Sequence, residues 1–345
     1  MLAVNLAVFL GLLACIEVGA RLFFPRRIEG LFNDPQVFLR KRPFVAPHPR
    51  RGLALVPGFE SDDIRINAAG FRGSDWPDDL GNYDIVLTLG ESSTFGWLVG
   101  QEDSYPARLQ RKLRSTTPGH RVMVVNAGVP SYTSAQVRLY LEELLERLDP
   151  VLILVNVLWN DALFACVENW MPEYLVFQQP RPWKQFALRH SALMRAAILN
   201  PPAEGQSATS VTNPEALRFY AQNLDDIIQQ CNRRGTRLAF VRPSMDLSYV
   251  PERGMKISRR TIERQSFIDQ LEEFTRTLDV VAREHAIPVV GHRLSASDPL
   301  FRPCFYDPVH LNAEGNQLLA EDIAAYLVQS DLLPAARIRV AGTGD

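Results

Sequence analysis

A chain of 345 residues, 46% of them hydrophobic, is long and apolar enough to bury one large core with appendages. Its formal net charge of -2 and pI near 6.3 provide no broad basic field, which excludes nucleic acid as the expected partner. Cys15, Cys166, Cys231 and Cys304 stand far apart, with neither C-x-x-C pairs nor zinc spacing; they read as buried or incidental thiols and leave the redox compartment open.

The run from Leu2 to Phe24 is mostly apolar, interrupted chiefly by Asn5, Glu17 and Arg21. At about 1.5 Å per helical residue it matches a hydrocarbon core, so one transmembrane helix is expected over residues 1–24. Glu17 and Arg21, four apart, are placed to pair on one helical face near the end of the span. Leu12-Leu13-Ala14-Cys15 loosely resembles a lipobox, but no Lys or Arg precedes the run and it continues past Cys15, which argues against a lipoprotein or cleaved signal. Arg21, Arg26, Arg27, Arg40, Lys41 and Arg42 follow, and by the positive-inside rule they would keep the large domain in the cytoplasm.

Residues 25–82 are rich in Pro and Arg without a sustained helical period, and read as a linker with a small β or loop appendage. Within them, Gly70 and Gly73 of Asn67-Ala68-Ala69-Gly70-Phe71-Arg72-Gly73 permit a tight turn presenting Phe71 and Arg72. That turn either packs the arm on the core, the simpler reading, or walls an active-site cleft.

Asp84 to Gly96 is the stretch on which the rest is organised. Ile85 to Leu89 is a short apolar β run that stops at Gly90 and passes into Glu91-Ser92-Ser93-Thr94, as a buried strand emptying into a tight turn does. A phosphate loop would need a lysine after Gly96, where Trp97 stands, and a nucleophile elbow would need glycine where Thr94 stands. A helix over Tyr105 to Leu113 follows, with Ser104 placed to cap it and Pro106 in its first turn. The next strand, Arg121 to Val125, ends in Asn126-Ala127-Gly128-Val129-Pro130-Ser131-Tyr132. Ser134 then opens a helix with an apolar stripe of Val137, Leu141, Leu144, Leu145 and Leu148. A third, nearly all-aliphatic strand, Val151 to Leu158, ends in Trp159-Asn160-Asp161.

This β-α-β-α-β order implies a parallel sheet whose turns share one edge. Residues 162–214 break the rhythm as an insertion whose Trp170, Tyr174, Phe177 and Trp183 form a local core or line an acyl or sugar pocket. A helix at Ala216 to Arg233, a strand at Arg237 to Val241, a helix from about Arg260 to His285 and a strand at Ile287 to Val290 resume it; Pro288 places that last strand at an edge. The expected fold is α/β, a three-layer α/β/α sandwich on a flavodoxin-like five-stranded parallel sheet in the order 2-1-3-4-5. Asp307 and His310, three apart in Tyr306-Asp307-Pro308-Val309-His310-Leu311-Asn312, can hydrogen-bond directly. A helix rich in apolar residues from Leu318 to Leu327 follows, and residues 331–345 read as a tail.

Gly90-Glu91-Ser92-Ser93, Asn126 to Gly128, Leu158-Trp159-Asn160-Asp161 and the D-x-x-H-L-N-x-x-G segment, taken in that order, resemble the blocks of the SGNH, or GDSL, hydrolases across residues 84–327, within a domain of residues 83–330. The N-x-x-G-F-R-G element is similar to one found in membrane-anchored SGNH proteins. Two departures stand out: Glu91 replaces aspartate, and Leu158 replaces the glycine of G-x-N-D. The resemblance implies Ser92 as nucleophile, His310 as base, Asp307 as orienting acid, and an oxyanion hole of the Ser92 and Gly128 backbone N–H groups with the Asn160 amide. Asp161 is assigned a structural role. No metal or organic cofactor is required. The implied reaction is hydrolysis of carboxylic esters, O-acyl groups of carbohydrate or lipid, through an acyl-enzyme. Transfer of the acyl group to a sugar hydroxyl in envelope polysaccharide assembly is a second reading, and a catalytically idle, membrane-tethered binding module a third. Membrane-anchored proteins of this kind act outside the cell, so the resemblance puts the domain outside, against the charge rule.

Overall fold

The computed structural model describes residues 11–19, 42–117, 119–166, 191, 213–257, 260–295, 297–330 and 332–333. Residues 11–19 are helical. No helix among the described residues is long and apolar enough to cross a membrane, and most of the flanks of the expected 1–24 span, Arg21 included, lie outside them. So do the four insertion aromatics and most of the tail.

The arm before the sheet is more than a linker. Strands β1 (Val45–His48) and β2 (Gly52–Leu55) form an antiparallel hairpin. It docks through Arg51, whose Nη1 donates to the Tyr132 hydroxyl at 2.7 Å, while that hydroxyl donates to the Leu53 carbonyl, also at 2.7 Å. The Asn67 to Gly73 turn buries Phe71 and Arg72, so this element packs the arm onto the core.

The central sheet follows the expected winding. Strand β3 (Asp84–Gly90) leads into the single helical turn α1 (Ser92–Phe95), then helix α2 (Tyr105–Thr116), strand β4 (Val122–Gly128), helix α3 (Ser134–Leu145), strand β5 (Leu152–Asn156) and helix α4 (Trp159–Ala165). Helix α5 (Pro214–Arg234) and strand β6 (Arg237–Val241) precede a small hairpin of β7 (Met255–Ile257) and β8 (Arg260–Ile262), followed by helix α6 (Arg264–Glu284), strand β9 (Val289–Val290) and helix α7 (Ala313–Gln329). The five-stranded sheet runs β4-β3-β5-β6-β9, all parallel, which is the order 2-1-3-4-5. Side-chain alternation along each strand divides the core. Leu87, Leu89, Ile153 and Val155 pack with α3, α5 and α6, while Val86, Leu152 and Leu154 pack with α2 and α7, giving three layers.

Helix α3 opens at Ser134 as expected, capped by Thr133, whose side chain and that of Gln136 form a reciprocal capping box. Several other boundaries differ from expectation for local reasons. Ser104 precedes α2 without a side-chain cap bond; the Tyr105 N–H is instead met by Asn316 Oδ1 at 2.9 Å. Arg260 begins a strand, and the helix starts four residues later. The last strand is only Val289–Val290 at the sheet edge, since Pro288 has no N–H to pair.

The opposite edge is covered by the Gln110 side chain and by the main chain of the arm. Gln110 of α2 donates to the Val122 carbonyl at 2.8 Å and accepts from the Val124 N–H at 2.6 Å, and the Arg72 N–H bonds the Asn126 carbonyl at 3.3 Å.

Candidate active site

The parallel topology delivers the turns after β3, β4 and β5 to one edge, where hydrogen bonds stitch them together. Gly90 carbonyl accepts the Val129 N–H at 3.0 Å. The Glu91 carboxylate accepts from the Trp159 and Asn160 N–H groups at 3.1 and 3.0 Å. Asn160 Nδ2 donates to the Tyr132 carbonyl at 2.9 Å. Position 90 has no room for a side chain: a methyl there would lie 2.3 Å from both the Asn156 carbonyl oxygen and Thr94 Oγ1.

Ser92 is the first residue of α1, so its N–H is one of the helix's unsatisfied donors and its side chain stands at the sheet edge. The loop before α7 returns to this point from the far end of the chain. His310 Nε2 lies 2.8 Å from Ser92 Oγ, and His310 Nδ1 lies 2.6 Å from Asp307 Oδ2. The other Asp307 oxygen accepts the Val309 and His310 N–H groups at 3.0 and 2.9 Å, which fixes the carboxylate against the ring. With Nδ1–H donating to Asp307, Nε2 holds the lone pair and accepts from the Ser92 hydroxyl. Burial pushes the Asp307 pKa up, but the His310 hydrogen bond and charge and the two backbone N–H groups outweigh it and hold the carboxyl below its usual range. Ser93 Oγ donates to the Val309 carbonyl at 3.3 Å, a second tie between the serine turn and the imidazole loop that a sequence motif does not reveal.

The structure brings Ser92, His310, Asp307 and the Asn160 loop together, and it shows what surrounds Gly128. The Gly128 N–H donates to Asn126 Oδ1 at 3.0 Å. A methyl at this glycine would lie 2.2 Å from the Phe95 nitrogen and 2.6 Å from the Thr94 carbonyl carbon, so glycine serves here to let β4 approach α1. Further along the same loop the Val129 N–H goes to Gly90, Pro130 has none, and the Tyr132 and Thr133 N–H groups go to Val129 and Gln136. Ser131 is half-buried and adopts φ 70°, a left-handed conformation uncommon outside glycine. None of the hydrogen bonds among the described residues uses its N–H. No spacing rule marks this N–H, because its freedom depends on where its neighbours' protons go.

The two departures have structural answers. The longer Glu91 side chain reaches across to the start of α4, and Leu158 has φ 179°, extended backbone that any residue adopts. Burial, then the nearby Asp161 charge, pushes Glu91 up to about 8 despite the N–H groups it accepts. Asp161, raised by its own burial, accepts from the Ser134 N–H and hydroxyl at 2.9 and 2.5 Å and so braces α3 against α4. Among the described residues no cluster of side chains could hold a metal ion.

The model of the GDSL-like lipase/acylhydrolase family matches residues 88–318. The chain belongs to that family and is an ester-cleaving hydrolase. Its fold is similar to the crystal structure of TesA, at 18% identity and a TM-score of 0.46 over 72% of this chain and 99% of that one. It is also similar to the acetyl xylan esterase AlAXEase, at 14% identity and 0.46 over 70% and 99%. A putative lipolytic protein of the G-D-S-L family from Desulfitobacterium hafniense DCB-2 is similar at 16% identity and 0.43 over 70% and 98%. No curated protein matches the sequence.

Proposed function

We propose that Ser92, His310 and Asp307 form a catalytic triad that hydrolyses carboxylic esters, O-acyl groups of a carbohydrate or lipid, through an acyl-enzyme. The observation that carries this reading is the chain of two hydrogen bonds, Ser92 to His310 at 2.8 Å and His310 to Asp307 at 2.6 Å. Ser92 Oγ attacks the ester carbonyl as its proton passes to His310 Nε2, and Asp307 stabilises the imidazolium. His310 then protonates the departing alkoxide. Water, deprotonated by the same nitrogen, attacks the acyl-enzyme and releases the acid. The oxyanion receives the Ser92 N–H, the Asn160 Nδ2 proton not used by Tyr132 and a main-chain N–H of the loop after β4, that of Gly128 or of Ser131.

A fluorophosphonate probe and an ester panel from acetyl to long-chain acyl, applied to wild type and Ser92→Ala, test the assignment. Labelling and turnover are expected in wild type alone; equal turnover in the variant would refute it. Product analysis with a sugar acceptor distinguishes hydrolysis from acyl transfer.

The same reading places the enzyme on a membrane with its domain outside the cell. The support is the apolar run from Leu2 to Phe24 and the exposure of Leu12, Leu13, Ile16 and Val18, at 59, 37, 49 and 55%, on the helical residues 11–19. Carbonate extraction and protease accessibility of the full chain test both parts.

A further inference from the structure

The serine turn is held from behind by a cation that takes no part in the proposed proton relay. Arg72 is 3% exposed, and every nitrogen of its guanidinium donates to a neutral oxygen. Nη1 meets the Phe95 and Gly96 carbonyls at 2.7 and 2.5 Å, Nη2 the Val99 and Asp63 carbonyls at 2.7 and 3.2 Å, and Nε the Gln101 side chain at 3.4 Å. No carboxylate among the described residues forms an ion pair with it. The guanidinium also lies 4.5 Å from the centre of the Phe95 ring, whose other neighbour is the stacked ring of Phe44 at 5.3 Å.

Phe95 and Gly96 are the last residue and the C-cap of α1, the four-residue turn that begins at Ser92. A single turn cannot hold itself, because helix nucleation is unfavourable, and its last carbonyls point past its C-terminal end with no continuing helix to donate to them. A buried cation is the group that best satisfies several converging carbonyls at a helix C-terminus. Its planar fork reaches four main-chain oxygens at once, which an ammonium point charge does not. Gly96 permits this approach: its φ is 85°, and a methyl there would lie 3.1 Å from Arg72 Nη1 and 2.5 Å from Ser104 Cβ.

We infer that Arg72 is a positioning residue for the nucleophile, fixing the rear of α1 so that the Ser92 hydroxyl and N–H hold their reacting geometry. The inference rests on the proposed role of Ser92. The turn that presents Arg72 belongs to the arm before the sheet, so that arm is part of the catalytic apparatus.

Arg72→Lys keeps the charge and loses the fork; Arg72→Met loses both. With the full chain, kcat and KM for p-nitrophenyl acetate, the fluorophosphonate labelling rate and Tm are measured beside Val281→Ala, a core variant in α6 that lowers stability away from the site. Displacement of a reacting group by about 1 Å can reduce rate by about 100-fold. Accordingly kcat and labelling rate should fall together by about 10- to 100-fold in Arg72→Lys and further in Arg72→Met. KM should stay nearly unchanged, and Val281→Ala should keep wild-type kcat below its Tm. Guanidinium ion should partly restore labelling of Arg72→Met. Wild-type kcat and labelling in folded Arg72 variants, or failure of both to fold, would overturn the inference and leave Arg72 a purely structural residue. Absence of labelling at Ser92 in wild type would instead overturn the triad.

Discussion

Glu91 and Asn160 are joined through the backbone: the carboxylate beside the nucleophile accepts the Asn160 N–H at 3.0 Å, so the residue before Ser92 also sets the start of the helix that presents the Asn160 amide. Above about pH 8, where Glu91 is ionised, both oxygens accept; Glu91→Gln can accept at only one atom and turns an NH2 toward the second N–H, leaving Trp159 or Asn160 without a partner. We expect kcat to fall by about tenfold or more with KM little changed, because the lost interaction aims a group at the transition state. Steady-state kinetics on a short-chain ester checks this.

The same carboxyl has a pH signature. Its pKa is raised to about 8 in the folded chain, so above the ordinary carboxylate range and up to about pH 8 the folded state holds a proton that the unfolded state has released. Stability therefore decreases as pH rises through that window. Wild-type Tm should fall between pH 5 and 8, and Glu91→Gln should fall less steeply, with Asp161, also raised, supplying the remaining slope. Coincident curves would show that Glu91 titrates normally.

Removing the Asn160 side chain deletes one donor at the expected oxyanion site. Asn160→Ala should lower kcat by about 10²- to 10³-fold with a small change in KM. A parallel rise in KM would point to substrate binding instead.

Ser131 supplies a contrasting pair. Ser131→Gly keeps the N–H and suits φ 70°, so kcat should be retained. Ser131→Val forces a β-branched residue into that conformation and should lower both kcat and Tm. Equal kcat in the two variants would remove Ser131 from the site.

Tyr132→Phe separates docking of the arm from chemistry. It strips the partner from Arg51 Nη1 and the Leu53 carbonyl while keeping the main-chain oxygen that accepts from Asn160. A loss of about 1–3 kcal/mol in stability is expected, with kcat preserved; chemical denaturation measures it.

The winding of the sheet was readable because aliphatic runs such as Val151 to Leu158 end in small polar turns, and because Asp307 and His310 are close enough in the chain to pair. What resisted reading depends on where individual protons go, both within a turn and between partners distant in sequence. Nothing in Asn126-Ala127-Gly128 says that the Asn126 carboxamide consumes the Gly128 proton. The Asn67 to Gly73 turn marks out Arg72, but not that its guanidinium meets the Phe95, Gly96 and Val99 carbonyls. Of the hairpin at β7 and β8, strand β8 falls inside the helix expected from Arg260, since Arg260-Thr261-Ile262 runs into that helix without a turn residue between them.

The side-chain seal along β4 affects how copies of this protein meet one another. Gln110 occupies the backbone groups of Val122 and Val124 that a visiting strand would seek, and on the far side the sheet ends in a two-residue strand led by a proline. Neither margin offers a template for strand addition. Gln110→Ala would unveil that ladder and should make the folded enzyme prone to self-association without touching its active site.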